Sequence, residues 1–131
     1  MKDYQYFGLQ ICKNDRESLI DTLSNIFNVN DNVLILDHVT LMHVSQHDDD
    51  LYKFLNSKLG RKVQIVIDRI GQSDQAVVFG VYLCSYRNMC KNKNPHITIM
   101  VRNSGKPVDS NYITDWEDID PIIIKTVVVK K

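Results

Sequence analysis

The sequence predicts an α+β domain of mostly antiparallel strands with helices packed outside. Six apolar runs of strand length, rich in β-branched and aromatic residues, are separated by turn residues. Only two stretches carry apolar residues at helical spacing. No linker, low-complexity tract or domain boundary interrupts the 131 residues, so one domain is expected over 1–131.

In chain order, Tyr4 to Cys12 reads as the first strand. Asn14 followed by Glu17 makes a capping box for a helix whose apolar face is Leu19, Ile20, Leu23, Ile26 and Phe27, ending near an Asn28-to-Asn32 turn. Val33 to Ser45 is the second strand. Asp48, Asp49 and Asp50 open a second helix, as N-cap and as negative charge at its positive end. Leu51, Phe54, Leu55 and Leu59 form its apolar face, and Gly60 suits the C′ position. Lys62 to Ile70 and Gln75 to Leu83 read as a hairpin joined by Gly71 to Asp74. A polar, irregular stretch from Ser85 to Asn94 leads into a strand over Pro95 to Val101, and Asn103 to Asn111 is a loop. Tyr112 to Asp118 is expected to hold a short helical turn, and Ile122 to Val129 a final strand of almost entirely β-branched residues. The predicted order is β-α-β-α-β-β-β-β.

Charge and cysteine usage narrow the function classes. The 16 basic and 16 acidic residues cancel, which argues against a protein that coats nucleic acid, since such domains carry a basic surplus. Three irregularly spaced cysteines, Cys12, Cys84 and Cys90, do not form a disulfide framework and point to reduced thiols. There is no signal-peptide pattern at Met1 to Tyr4, and no apolar run nears the ~20 residues of a membrane span. The expectation is a soluble, cytoplasmic monomer with no membrane partner.

The chemistry concentrates in two four-residue stretches, His38-Val39-Thr40-Leu41 and His96-Ile97-Thr98-Ile99. Alternation along a strand puts each His and Thr on one face, and Val39, Leu41, Ile97 and Ile99 on the other, in the core. A single histidine on a strand is usually structural. Two of only four histidines in one repeated pattern point instead to two similar half-sites across a cleft. There one imidazole, neutral, can take a proton while the other, charged, gives one. The threonine hydroxyls can hydrogen-bond the non-bridging oxygens of a phosphodiester as they gain charge. This scheme needs no metal and no cofactor. A rival constellation, His38, His43 and His47 with Asp48 to Asp50, would be a metal site, but an odd spacing sends His38 and His43 to opposite faces.

The paired His-x-Thr pattern resembles the signature of the 2H phosphoesterase superfamily. Cys90 to Ile99, then Gly105-Lys106-Pro107-Val108-Asp109-Ser110-Asn111, together with Tyr6-Phe7-Gly8 and Asp37 to Leu41, is similar to the cyclic phosphodiesterase domain of fungal-type tRNA ligases. The chain lacks the ligase and kinase domains of those proteins and so looks like a stand-alone member, of a kind that includes viral ones. Residue 100 is Met where many relatives have Gly. The resemblance implies a bilobal fold around a central cleft. It also implies metal-independent hydrolysis of 2′,3′-cyclic phosphates or 2′-5′ phosphodiesters in small nucleotides: RNA ends, 2′-5′ oligoadenylates or cyclic dinucleotides. The alternative is an inactive module that binds nucleotides or RNA ends. By motif, His38, Thr40, His96 and Thr98 are the catalytic candidates, and Lys106, Ser110 and Asn111 are candidate substrate contacts. Tyr6, Tyr86, Tyr112 and Trp116 are candidates to stack on a base.

Overall fold

The apolar runs that predict strands do form them, and the strands close on themselves. In the computed structural model, which describes residues 3–25, 34–83, 88–101 and 105–131, β1 is Tyr6–Ile11, β2 His38–His43, β3 Lys62–Gln72, β4 Ala76–Tyr82, β5 His96–Val101 and β6 Asp115–Lys130. Helix α1 (Lys13–Ser24) follows β1, and α2 (Asp49–Ser57) follows β2. The strands form a closed barrel in the order β1-β2-β5-β4-β3-β6, each neighbouring pair antiparallel. Closure comes from β6, which pairs with β3 along most of its length and with β1 over its last residues.

Each motif strand buries its apolar face completely: Val39, Leu41, Ile97 and Ile99 are all inaccessible to solvent. They share one core cluster with Leu19 and Leu23 of α1 and Leu51 and Leu55 of α2. Every residue of β4 from Ala76 to Val81 is buried. One side of β4 belongs to the main core, while Ala76 and Val78 meet Ile113 and Trp116 in a small second cluster.

Several boundaries differ from the sequence reading. Strand β2 begins at His38, because residues 34–37 are irregular and Leu36 sits in the left-handed region at φ 43°. Cys12, not Asn14, occupies the N-cap of α1, with no side-chain cap, so Asn14 and Glu17 lie inside the helix. Ile26, Phe27 and the expected 28–32 turn fall outside the described residues. Asp48 does cap α2, accepting from the Leu51 N–H at 2.9 Å, with Asp49 and Asp50 in the first turn. That helix stops at Ser57, which leaves Leu59 40 % exposed and puts Gly60, at φ 83°, two residues past the Lys58 cap. Gly71 and Gln72 belong to β3 rather than to the hairpin turn. The expected helical turn at Tyr112 to Asp118 is replaced by a 3-10 segment, Pro107–Tyr112, and by the start of β6. Residues Asp115 to Asp118 find partners in Gln72 to Arg69, and this long-range pairing outweighs their weak strand propensity.

Candidate active site

Strands β2 and β5 are neighbours, paired at Val39 and Ile97. One step to either side of that pair puts His38 across from Thr98 and Thr40 across from His96. The two stretches are thus related by an approximate two-fold axis. With Val39 and Ile97 pointing into the core, the four polar side chains share the opposite face. All four line one cavity of about 980 Å³, together with Tyr6, Asp37, His43, Lys91, Asn92, Lys93 and Asn111 among others.

The two histidines have different surroundings. His38 stacks on the Tyr6 ring, centroids 4.4 Å apart and planes 15° from parallel. Its Nδ1–H donates to Asp37 Oδ2 at 2.9 Å, and its Nε2 meets Thr40 Oγ1 at 3.0 Å. Asp37 is itself held: Gln10 Nε2 donates to its Oδ1 and to its carbonyl, both at 2.9 Å. Burial alone would raise the Asp37 carboxyl. The hydrogen bonds from Gln10 and His38, with the charges of His38 and Lys131, override that and hold it below the usual carboxylate value. The carboxylate is therefore charged at neutral pH and holds the His38 ring by its Nδ1–H.

Among the described residues His96 has no carboxylate partner. Its Nδ1 lies 2.8 Å from the Asn94 carbonyl, which can only accept, so Nδ1 carries the proton and Nε2 is left with its lone pair. Burial pushes this imidazole below the usual histidine value. The hydrogen bond to Asn94 opposes that shift, and the charge on His38 adds to it. One imidazole hydrogen-bonded to a carboxylate and one buried as the neutral base suit proton transfer in opposite directions.

The surrounding chain fixes these groups. Thr98 Oγ1 and Ser110 Oγ are 2.9 Å apart, and Ser110 is 2 % exposed, so Ser110 is occupied in holding Thr98. Lys91 N–H donates to the Leu41 carbonyl at 2.7 Å and Cys90 Sγ to the Thr40 carbonyl at 3.4 Å, which ties the segment entering β5 to β2. Burial pushes the Cys90 thiol up to about 11, so it stays protonated and donates. Asn92 Nδ2 donates to Asn111 Oδ1 at 2.8 Å, across the cavity wall.

The other candidates are dispersed. Tyr6 lines the cavity with a ring face on His38, and Asn111 lines it through the amide pair. Lys106 is exposed and is not part of the cavity wall, and Tyr112 is 74 % exposed. Trp116 lies under Arg69, 5.0 Å from the guanidinium carbon, and packs against Gly71 and Gly80 in the second cluster. Tyr86 falls outside the described residues. In the rival metal constellation most groups are engaged elsewhere. His43 accepts from the Ser45 N–H, His47 bridges the Tyr4 hydroxyl and Asp49, and Asp48 caps α2 and pairs with Lys91 at 3.3 Å. Among the described residues no group of three or more His, Cys, Asp or Glu side chains is placed to hold a metal ion.

Sequence reasoning passed over Asp37. Regular alternation would turn it away from His38, but it sits in the irregular stretch before β2, where that rule lapses. Its one signal is adjacency to a motif histidine. Lys91 and Lys93 were hidden in a stretch legible only as polar and irregular.

No protein-family model matches the chain, and no curated protein matches it. A crystal structure of a fungal RNA kinase matches over 98 % of this chain, with a TM-score of 0.72 and 17 % sequence identity. That match takes in 46 % of the kinase chain, so this sequence spans less than half of that protein's length. At this identity the likeness is one of fold. No described helix is long and apolar enough to cross a membrane.

Proposed function

We propose that the chain is a metal-independent phosphodiesterase of the 2H type, acting on 2′,3′-cyclic phosphates or 2′-5′ phosphodiesters of small nucleotides or RNA ends. The observation that carries this reading is the presence of His38, Thr40, His96 and Thr98 on the wall of one cavity, from adjacent strands, with the histidines in opposite electrostatic settings. The closed antiparallel barrel with two outer helices is compatible with the expected α+β class, and it sets the two motif strands side by side. The likeness to a protein described as an RNA kinase fits a substrate with RNA-end chemistry.

In this reading His96 Nε2 takes a proton from the attacking water, whose oxygen forms a bond to phosphorus. The bond from phosphorus to the 3′ or 2′ ribose oxygen breaks in line. His38 gives its Nε2 proton to that leaving oxygen, and Asp37 stabilises the imidazolium until it does. Thr40 and Thr98 donate to the non-bridging oxygens, where negative charge develops. One proton enters His96 and one leaves His38, so the histidines must exchange states through solvent before the next turnover. Every role is filled by a side chain, and no step calls for a divalent ion.

The deciding experiment measures hydrolysis of 2′,3′-cyclic AMP and of a 2′-5′-linked adenylate in excess chelator. Hydrolysis that is lost in the His96→Ala variant supports the reading. Binding of both nucleotides without turnover would instead identify a module that binds and does not cleave. Activity abolished by chelator and restored by one metal would overturn the mechanism.

A further inference from the structure

Beyond the reacting phosphate, the cavity wall carries a second cationic feature that the chemistry above does not use. Lys91 and Lys93 both line the cavity and flank Asn92. Their segment is not a loose surface loop. It is fastened to β2 through the Leu41 and Thr40 carbonyls, to Asn111 through the Asn92 amide, and to β5 through the Asn94 carbonyl, which accepts from His96 Nδ1 at 2.8 Å. The two lysines are therefore held at a fixed place relative to the His-Thr quartet.

The charges at that end are unequal in use. Lys91 Nζ lies 3.3 Å from Asp48 Oδ2, so its charge is partly neutralised. Lys93 is exposed and, among the described residues, has no carboxylate partner. The one carboxylate on the cavity wall, Asp37, is engaged by His38 and Gln10. A cavity of about 980 Å³ stands at the upper end of the roughly 300–1,000 Å³ that drug-sized ligands occupy, which leaves room beyond a phosphate and one ribose. An ammonium on a fastened segment beside such room is suited to a second phosphate, as a compact cation facing an anion.

We propose that Lys93, with Lys91 beside it, forms a second phosphate subsite, and that the substrate nucleoside carries another phosphate on its 5′ side. Resting on the phosphodiesterase reading, this makes an oligonucleotide end, rather than a free cyclic mononucleotide, the preferred substrate.

The test compares binding of adenosine 2′-phosphate and adenosine 2′,5′-bisphosphate to the wild-type protein and to Lys93→Gln, by calorimetry at two or more salt concentrations. Neither ligand has a bond for the enzyme to cleave, so the result does not depend on turnover. The wild type should bind the bisphosphate about tenfold more tightly, the scale of one added charge-assisted contact. The bisphosphate's advantage should narrow as salt rises, since the added contact is between charges. In Lys93→Gln the gap between the two ligands should shrink to less than about threefold, with the extra salt dependence lost. Equal affinity of the wild type for both ligands would overturn the subsite, and so would a gap that Lys93→Gln leaves intact. Failure of 2′,3′-cyclic AMP and the 2′-5′ adenylate to turn over would count against the phosphodiesterase reading alone.

Discussion

His38 and His96 carry the same motif but not the same environment, and that asymmetry decides what each variant should do. His38→Ala and His96→Ala should each lower kcat by at least ~10²-fold, the lower end for loss of a general acid or base, with the fold kept, since neither ring is core packing. Thr98→Ala should cost roughly 2–4 kcal/mol of transition-state stabilisation with little change in KM. Thr40→Ala should cost more, because Thr40 also meets His38 Nε2. Asp37→Asn keeps an acceptor for the His38 Nδ1–H but removes the charge, so kcat should fall by about tenfold, within the range seen for groups that orient a working residue. The pH–rate profile reports on the other histidine. The acid limb belongs to His96, which works when neutral. Burial lowers its proton affinity, so activity should reach half its maximum below the ordinary imidazole value of about 6.5. The same shift has a consequence for stability. The unfolded chain binds a proton at His96 more readily than the folded chain does, so this contribution is complete above about pH 6.5 and is lost as pH falls through the lowered folded value. Urea midpoints measured from pH 7.5 to 5 should fall, and less so in His96→Gln. The corresponding loss from Asp37 begins only below about pH 4, so the two windows separate.

The elements were largely legible because their signals are local. The order of strands and helices follows from apolar runs and helical spacing, and the Asp48 cap follows from residue type alone. Long-range partners were not legible. Strand β6 extends over 16 residues only because β3 offers a mate for its polar first half. Gly71 stays in β3 because the Trp116 ring packs over it: a Cβ there would come within 2.7 Å of the indole. At Gly8 the restriction bears on the candidate site itself. A Cβ would lie 2.8 Å from the Val39 carbonyl oxygen, a backbone atom of the strand that carries His38 and Thr40. Gly8→Ala should therefore force β1 away from β2, at about 1–3 kcal/mol, and lower Tm by several degrees and kcat together. Gly60→Ala is the matched control. Nothing lies within 4 Å of its Cβ, but its φ of 83° disfavours a side chain, so about 1 kcal/mol of stability should be lost while kcat is retained.

At the scale of the whole molecule, the site was half legible. The quartet could be read because strand alternation and motif repetition are sequence properties. Asp37, Asn94 and the roles of Lys91 and Lys93 could not, and Ser110 was named without its bond to Thr98, because what makes them matter is a carbonyl, a hydroxyl or a wall supplied by another part of the chain. Global charge bears on what the cavity receives. Sixteen basic and sixteen acidic residues leave no net positive field to hold long nucleic acid by its backbone, and the cavity wall adds only two lysines. Among the described residues Tyr6 is the aromatic candidate on that wall, and one of its faces is taken by His38, which suits stacking on one or two bases. The attacked phosphorus should therefore belong to a short nucleotide and be bonded to a ribose 2′ oxygen. Four substrates compared at one enzyme concentration, with products identified by mass, test this: a 2′,3′-cyclic phosphate end, a 2′-5′-linked oligonucleotide, a cyclic dinucleotide with one 2′-5′ bond, and a DNA strand. At least one of the three ribose substrates should be cleaved and the DNA left intact, since DNA offers no 2′ oxygen. If the second phosphate subsite is real, a cyclic phosphate end with a 5′ phosphate should outpace free 2′,3′-cyclic AMP in the same assay. DNA cleavage at a rate near the best of the others, or inactivity on all three ribose substrates, would show that the paired histidines serve some other chemistry.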